Sequence, residues 1–140
     1  LPRKWGNDKG MKAPKPKKKR NIVKENDELW SEIVKLRANN RSELSGKTGV
    51  LNSHHIMHKP NHRLRWELLN GICVTAGEHN FGIHGAKAEE YRDKIIRVIG
   101  DGRFAWLKSL RNDKGKTDKM LVNVYLKDEL AKVRKSLKQK

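Results

Sequence analysis

Cysteine is almost absent from this chain of 140 residues: Cys73 stands alone. No intrachain disulfide can form, and no cluster of thiolates can hold a metal ion. Proline is as sparse, and three of its four occurrences, Pro2, Pro14 and Pro16, crowd the N-terminus, leaving the rest of the chain open to regular structure. No apolar run approaches the ~18 residues that would cross a membrane, and there is neither a signal-peptide pattern nor a long basic amphipathic helix with a bulky apolar face. No membrane partner is therefore expected. Acids are also in short supply, 16 Asp+Glu against 33 Lys+Arg, for a formal charge of +17. That excess is far beyond what solubility needs and points to a polyanion, nucleic acid first. A lone cysteine fits a reducing, cytoplasmic compartment.

The length suits one modest domain with a tail. Residues 1–24 hold ten Lys or Arg, Lys17, Lys18, Lys19 and Arg20 among them, against the single acid Asp8. Such a segment buries too little apolar surface to order itself, so it reads as a disordered or extended basic arm lying along phosphates, or else as a solubilising tail. Asn26 is expected to cap a helix carrying Leu29, Trp30, Ile33 and Val34, which would end near the turn-forming Asn39-Asn40. Two strands follow, Val50 to Ile56 and Gly71 to Thr75, joined by a polar loop with Lys59, Arg63 and Arg65, and a short helix starts from Gly77. Helical periodicity returns around Tyr91 to Ile99, Phe104 to Leu110, and from an Asp118 start to Leu137. The expected fold is α+β, a small ββα centre over about residues 48–86 within a domain of residues 25–112. Residues 113–140 form a C-terminal helix that packs on the domain or extends from it.

All six histidines, His54, His55, His58, His62, His79 and His84, fall in one short stretch of the chain. Surface histidines do not cluster so by chance, although His58 and His62 read as groove-lining or capping residues. His54-His55 close a strand, fourteen residues separate them from Asn70, and eight more separate Asn70 from His79 at the head of a helix. This order resembles the HNH, or ββα-metal, nuclease family. The surrounding words Leu-Trp-Ser-Glu, Ser-His-His-Ile-Met and Leu-Arg-Trp-Glu-Leu-Leu-Asn-Gly-Ile-Cys are similar to those of phage-encoded members, and the resemblance spans roughly residues 28–110.

The resemblance implies a metal-dependent endonuclease acting on DNA in the cytoplasm, the host's if the chain is phage-encoded, with phage or host proteins as possible suppliers of targeting. It implies that His54 and His79 ligate one divalent ion (Mg²⁺, Mn²⁺, Ni²⁺ or Zn²⁺), that His55 is the general base, and that Asn70 orients it. Hydrolysis of an anionic diester needs an activated water and charge neutralisation, and a neutral imidazole of ordinary pKa about 6.5 can supply the first. His84 is the candidate third ligand; it lies five residues after His79, which on an ideal α-helix is about 140° away. The alternative is a phosphate-facing or capping histidine. Lys17, Lys18, Lys19, Arg20, Lys59, Arg63 and Arg65 are the expected phosphate contacts. Many phage relatives also carry a zinc knuckle of two Cys-x-x-Cys pairs; Ser42, Ser45, Thr75 and Glu78 occupy the matching positions here. Hydroxyls are poor zinc ligands, so no structural zinc is expected. Packing of Trp30, Ile33, Leu51, Trp66 and Leu69 would compensate, with Cys73 a core residue. The rival reading is a non-catalytic nucleic-acid-binding protein on the same scaffold.

Overall fold

The computed structural model describes Gly10 and residues 12–58 and 61–139. Helix α1 runs Ile22–Arg37; a two-stranded sheet pairs β1 (Leu51–His55) with β2 (Gly71–Thr75); α2 (His62–Trp66) and a 3₁₀ turn (Leu68–Asn70) lie between them. A π-helical segment, Glu78–Ile83, follows β2, and α3 (Ala88–Ile99), α4 (Asp101–Ser109) and α5 (Lys119–Lys138) complete the chain. The class is α+β, as the sequence implied.

Helix α1 starts earlier than expected. Its cap is Asn21, whose side chain accepts from Lys24 N, and not Asn26. Asn26 is fully buried, donating to the Lys119 carbonyl and accepting from Asn123 Nδ2 at 2.9 Å. A polar residue placed between two helices must be paired in this way, because an unsatisfied amide there costs about 1–3 kcal/mol. The basic arm accordingly stops short of residue 22, not at Lys24. At the other end the helix terminates where Asn39 and Asn40 take positive φ, 54° and 53°, a conformation asparagine tolerates better than most. Helix α5 starts from Asp118, whose carboxylate accepts from Met120 N and Leu121 N.

The polar loop after β1 is partly helical. Asn61 Oδ1 accepts from Leu64 N and so caps α2, burying Leu64 and Trp66.

β1 and β2 are antiparallel, with His54 opposite Ile72 and His55 opposite Gly71. β2 is buried on both faces. Successive strand residues point to opposite faces, so Cys73 joins Trp30, Ile33, Val34, Trp66, Leu126 and Leu130 between α1 and α5, while Ile72 and Val74 pack on Ile95 of α3. The C-terminal helix therefore packs on the domain instead of extending from it. Helix α1 crosses β2 closely enough that a Cβ on Gly71 would lie 2.4 Å from Val34 Cγ2 and 2.8 Å from Trp30 Cζ2, so only glycine fits. Met57, Leu64, Leu107 and Leu110 form a third cluster under the α2 loop. Leu69, an expected core residue, is 42 % exposed; the 3₁₀ turn that buries Leu68 and Asn70 faces it outward.

Candidate metal centre

The alternation of β1 divides the His-His pair. Asn52 and His54 share one face of the strand with His79, whereas Ser53 and His55 face α1, Ser53 Oγ donating to the Ser31 carbonyl and His55 stacking on Trp30 at 3.9 Å with the rings 4° from parallel. Two adjacent residues can thus take different parts in one site.

His54, His79 and His84 converge, with one ring nitrogen from each lying within 4.8 Å of the others. The five-residue spacing of His79 and His84, awkward on an α-helix, is resolved by the π-helical turn: His84 N bonds His79 O at 3.1 Å in an i→i+5 pattern. One widened turn brings the two rings together, centroids 4.7 Å apart and nearly perpendicular, with their Nε2 atoms 3.1 Å apart. Gly82 makes this turn possible, since a Cβ there would meet the Tyr91 ring of α3 at 2.4 Å.

The turn is anchored at its start by a reciprocal capping box. Ala76 and Gly77 are already helical; Glu78 N donates to Thr75 Oγ1 at 3.1 Å and Thr75 N donates to Glu78 Oε1 at 2.9 Å. Ser42 Oγ adds a 2.6 Å bond to the same carboxylate oxygen and itself accepts from Leu44 N and Ser45 N. Burial pushes the Glu78 carboxyl up, but hydrogen bonds from Ser42, Thr75 and Ser45 outweigh it and hold the group below its ordinary value. Ser42, Ser45, Thr75 and Glu78 thus meet in space and are joined by hydrogen bonds.

The electrostatics suit neutral imidazoles. Burial, then the neighbouring His79, His84, His55 and His58, lowers the His54 pKa to about 3. Burial, then His84, lowers that of His79. Metal ligation requires a deprotonated ring nitrogen, so two of the three donors are ready in that form at neutral pH. Three imidazoles form a donor set suited to zinc, nickel, copper or iron ions. Asn52, which the sequence reading passed over, lies 3.2 Å from His79 Nδ1. The second ring nitrogen of a ligating histidine commonly donates outward, and Asn52 is placed to receive that proton through its amide oxygen once the amide is turned.

His55 is held from two directions. Its Nε2–H donates to the Arg65 carbonyl at 2.8 Å, which puts the lone pair of the neutral ring on Nδ1. The Asn70 side chain, expected to orient His55, bonds to the loop instead. Asn70 is fully buried, its Oδ1 accepting from Met57 N and its Nδ2 donating to the carbonyls of Met57 and Leu64, so it clamps the loop between β1 and α2. The Asn70 carbonyl accepts from Ile56 N at 2.9 Å, next to the pair. Arg65 reaches its place through Asp27, which takes a bidentate grip from its guanidinium (2.8 and 2.6 Å) and a third bond from Trp66 Nε1. The Arg65 side chain thus fixes α2 to α1, while its backbone carbonyl holds His55.

The other expected phosphate contacts are scattered. Arg63 pairs with Asp113 and Arg20 with Glu25; Lys17, Lys18 and Lys19 are exposed in an irregular stretch; Lys59 lies outside the described residues. His58 is exposed, and His62 stacks on Trp66 at the start of α2.

Beside the histidines opens a cleft of about 300 Å³. His54, His55 and His84 reach it from β1 and the π turn, Arg92 from α3, and Arg111 from just beyond α4. Neither arginine figured in the sequence reading, because nothing local distinguishes them from the many other cations. Among the described residues no helix is long and apolar enough to cross a membrane. Comparison with protein families, with curated proteins and with solved structures gives no match.

Proposed function

We propose that this protein is a metal-dependent endonuclease of the HNH type, hydrolysing DNA phosphodiester bonds with His55 as general base. The observation that carries the reading is the three-imidazole cluster of His54, His79 and His84 set against a fourth, separately anchored imidazole at one cleft. A structural role for so many neighbouring histidines has little to recommend it, since each would need a hydrogen-bond partner that apolar packing could replace more cheaply.

His54, His79 and His84 would hold one divalent ion, and the all-nitrogen donor set favours a transition metal over Mg²⁺. Such an ion supplies positive charge to the phosphate and to the departing oxygen. His55 takes the proton of the attacking water at Nδ1, while the Arg65 carbonyl receives its Nε2–H and stabilises the imidazolium that results. The stack on Trp30 prevents the ring from turning out of line. The net charge of +17 and the exposed Lys17–Lys19 run supply sequence-independent attraction to DNA. A phage source and the host cytoplasm as workplace accord with the sequence resemblance.

A plasmid cleavage assay with EDTA, Mg²⁺, Mn²⁺, Ni²⁺ and Zn²⁺ in parallel tests the reading. The parent chain should nick or cut with a transition ion and stop in EDTA, and His55→Ala should lose about 10²–10⁴ in rate while still binding metal. Cleavage by His55→Ala at the parent's rate removes His55 as the base, and a parent silent with every ion leaves a DNA-binding protein without nuclease activity.

A further inference from the structure

Several arginines of this protein are engaged within the fold, Arg37 with the Leu68 carbonyl and Arg103 with the carbonyls of Leu69 and Gly71. Arg20, Arg63, Arg65 and Arg134 each meet a carboxylate. Arg92 and Arg111 are the arginines that line the cleft shared with His54, His55 and His84, and among the described residues neither is in an ion pair. No carboxylate contributes to that lining. The Arg92 guanidinium carbon sits 5.7 Å from the centre of the Phe104 ring, and Arg111 Nη2 is 3.8 Å from Met57 Sδ, so soft apolar surface flanks both cations without satisfying their five N–H donors each. Ile56, Ile95 and Ile96 complete an apolar wall.

Two unneutralised guanidinium groups over an apolar wall form an amphiphilic pocket. The cations suit phosphate oxygens, which guanidinium groups bind through paired N–H bonds. The wall suits a sugar and the face of a base and offers no polar group to read base edges. The volume is at the lower end for small-molecule sites, the scale of one nucleotide.

We infer that this cleft is a nucleotide subsite, in which Arg92 and Arg111 hold the phosphates of one deoxynucleotide while Ile56, Ile95, Ile96 and Phe104 take its sugar and base. The inference deepens the nuclease reading by naming what sits beside the histidines, and it rests on that reading only for its role in cleavage. Because His54, His55 and His84 line the same cleft, a nucleotide held there presents a neighbouring phosphate to the metal centre, and the two arginines act as positioning residues.

The test uses the full chain in EDTA and thymidine 3′,5′-bisphosphate as the probe, followed by calorimetric titration at low ionic strength. The parent should bind it, with thymidine and inorganic phosphate each at least about tenfold weaker. Arg92→Gln and Arg111→Gln should each weaken it by roughly tenfold or more, the loss expected when a charge-assisted hydrogen bond is removed, and Arg→Lys at either position should recover part of that loss. Both residues are exposed, so the fold should survive either change. No binding by the parent, unchanged affinity in both Gln variants, or inorganic phosphate binding as tightly as the bisphosphate overturns the subsite. A parent that binds the probe through both arginines yet cuts no DNA with any ion supports the subsite and sinks the nuclease reading. A parent that cuts, with Gln variants of unchanged KM and unchanged affinity for the probe, does the reverse.

Discussion

Replacing Gly82 by alanine probes whether the π turn is imposed by packing. In an open helix this change stabilises by about 0.4–1 kcal/mol, because the unfolded chain loses freedom. Here the new Cβ would lie 2.4 Å from Tyr91 Cζ and 2.6 Å from Cε1 and Cε2, and the Lys94 ammonium sits over the same ring at 4.6 Å. Either the ring swings outward or the turn shifts away from α3. Overpacking of this kind costs about 1–3 kcal/mol, which exceeds the entropic gain. For a chain of this size the net loss should lower Tm by roughly 3–10 °C in EDTA. Displacing the turn also disturbs the His79–His84 approach, so affinity for Zn²⁺ or Ni²⁺ should fall by about 10–100-fold, as when a ligand's supporting contact is removed. The decisive measurement is a double-mutant cycle with Tyr91→Leu, whose shorter side chain cannot reach the new methyl. The double variant should be more stable than the two single losses added together, by about 0.5–3 kcal/mol. Strict additivity, or a Gly82→Ala protein that melts higher than the parent, would show that Tyr91 does not constrain the turn.

Acid should destabilise the metal-free protein. The His54 pKa is near 3 in the folded chain and about 6.5 unfolded, so the unfolded state binds the extra proton between those values; stability is complete above about pH 6.5 and declines as pH falls toward 3, by on the order of 4 kcal/mol at the lower end. His54→Gln should flatten that dependence in urea titrations, and an equally steep profile would refute the assignment. Glu78→Ala removes the capping-box carboxylate and strands the Ser42 hydroxyl, a loss of about 1–3 kcal/mol. Ser42→Ala/Glu78→Ala should be less destabilised than the two single changes added, and simple addition would mean the hydroxyl and carboxylate act independently.

The crowding of histidines was legible in the sequence, because spacing along the chain acts locally. The pairing of His54 with His79 came from the resemblance to the ββα-metal nucleases, which assigns both to one ion. Thr75-x-x-Glu78 also carried a readable signal, that of a capping box. His84 was harder, since five residues suit a π turn and not an α turn, and the preference for one over the other lies in how closely Tyr91 approaches Gly82, a contact between elements. Asn70 illustrates the opposite case. Its position marked it as important, yet its side chain clamps the loop at Met57 and Leu64, and the orienting group for His55 is a backbone carbonyl that no residue type can announce.

From sequence alone followed the α+β class, the basic character and the crowding of imidazoles, because these depend on periodicity, composition and short spacings. Only the tertiary structure decided which cations are free to meet a phosphate. Arg63 and Arg65 look as available as Arg92 and Arg111 along the chain, but folding brings Asp113 and Asp27 to the first two and, among the described residues, no carboxylate to the lining of the cleft beside the others. A charge is cancelled by whatever lies within a few ångströms of it, and that neighbourhood is made by helices distant in sequence packing on one small sheet.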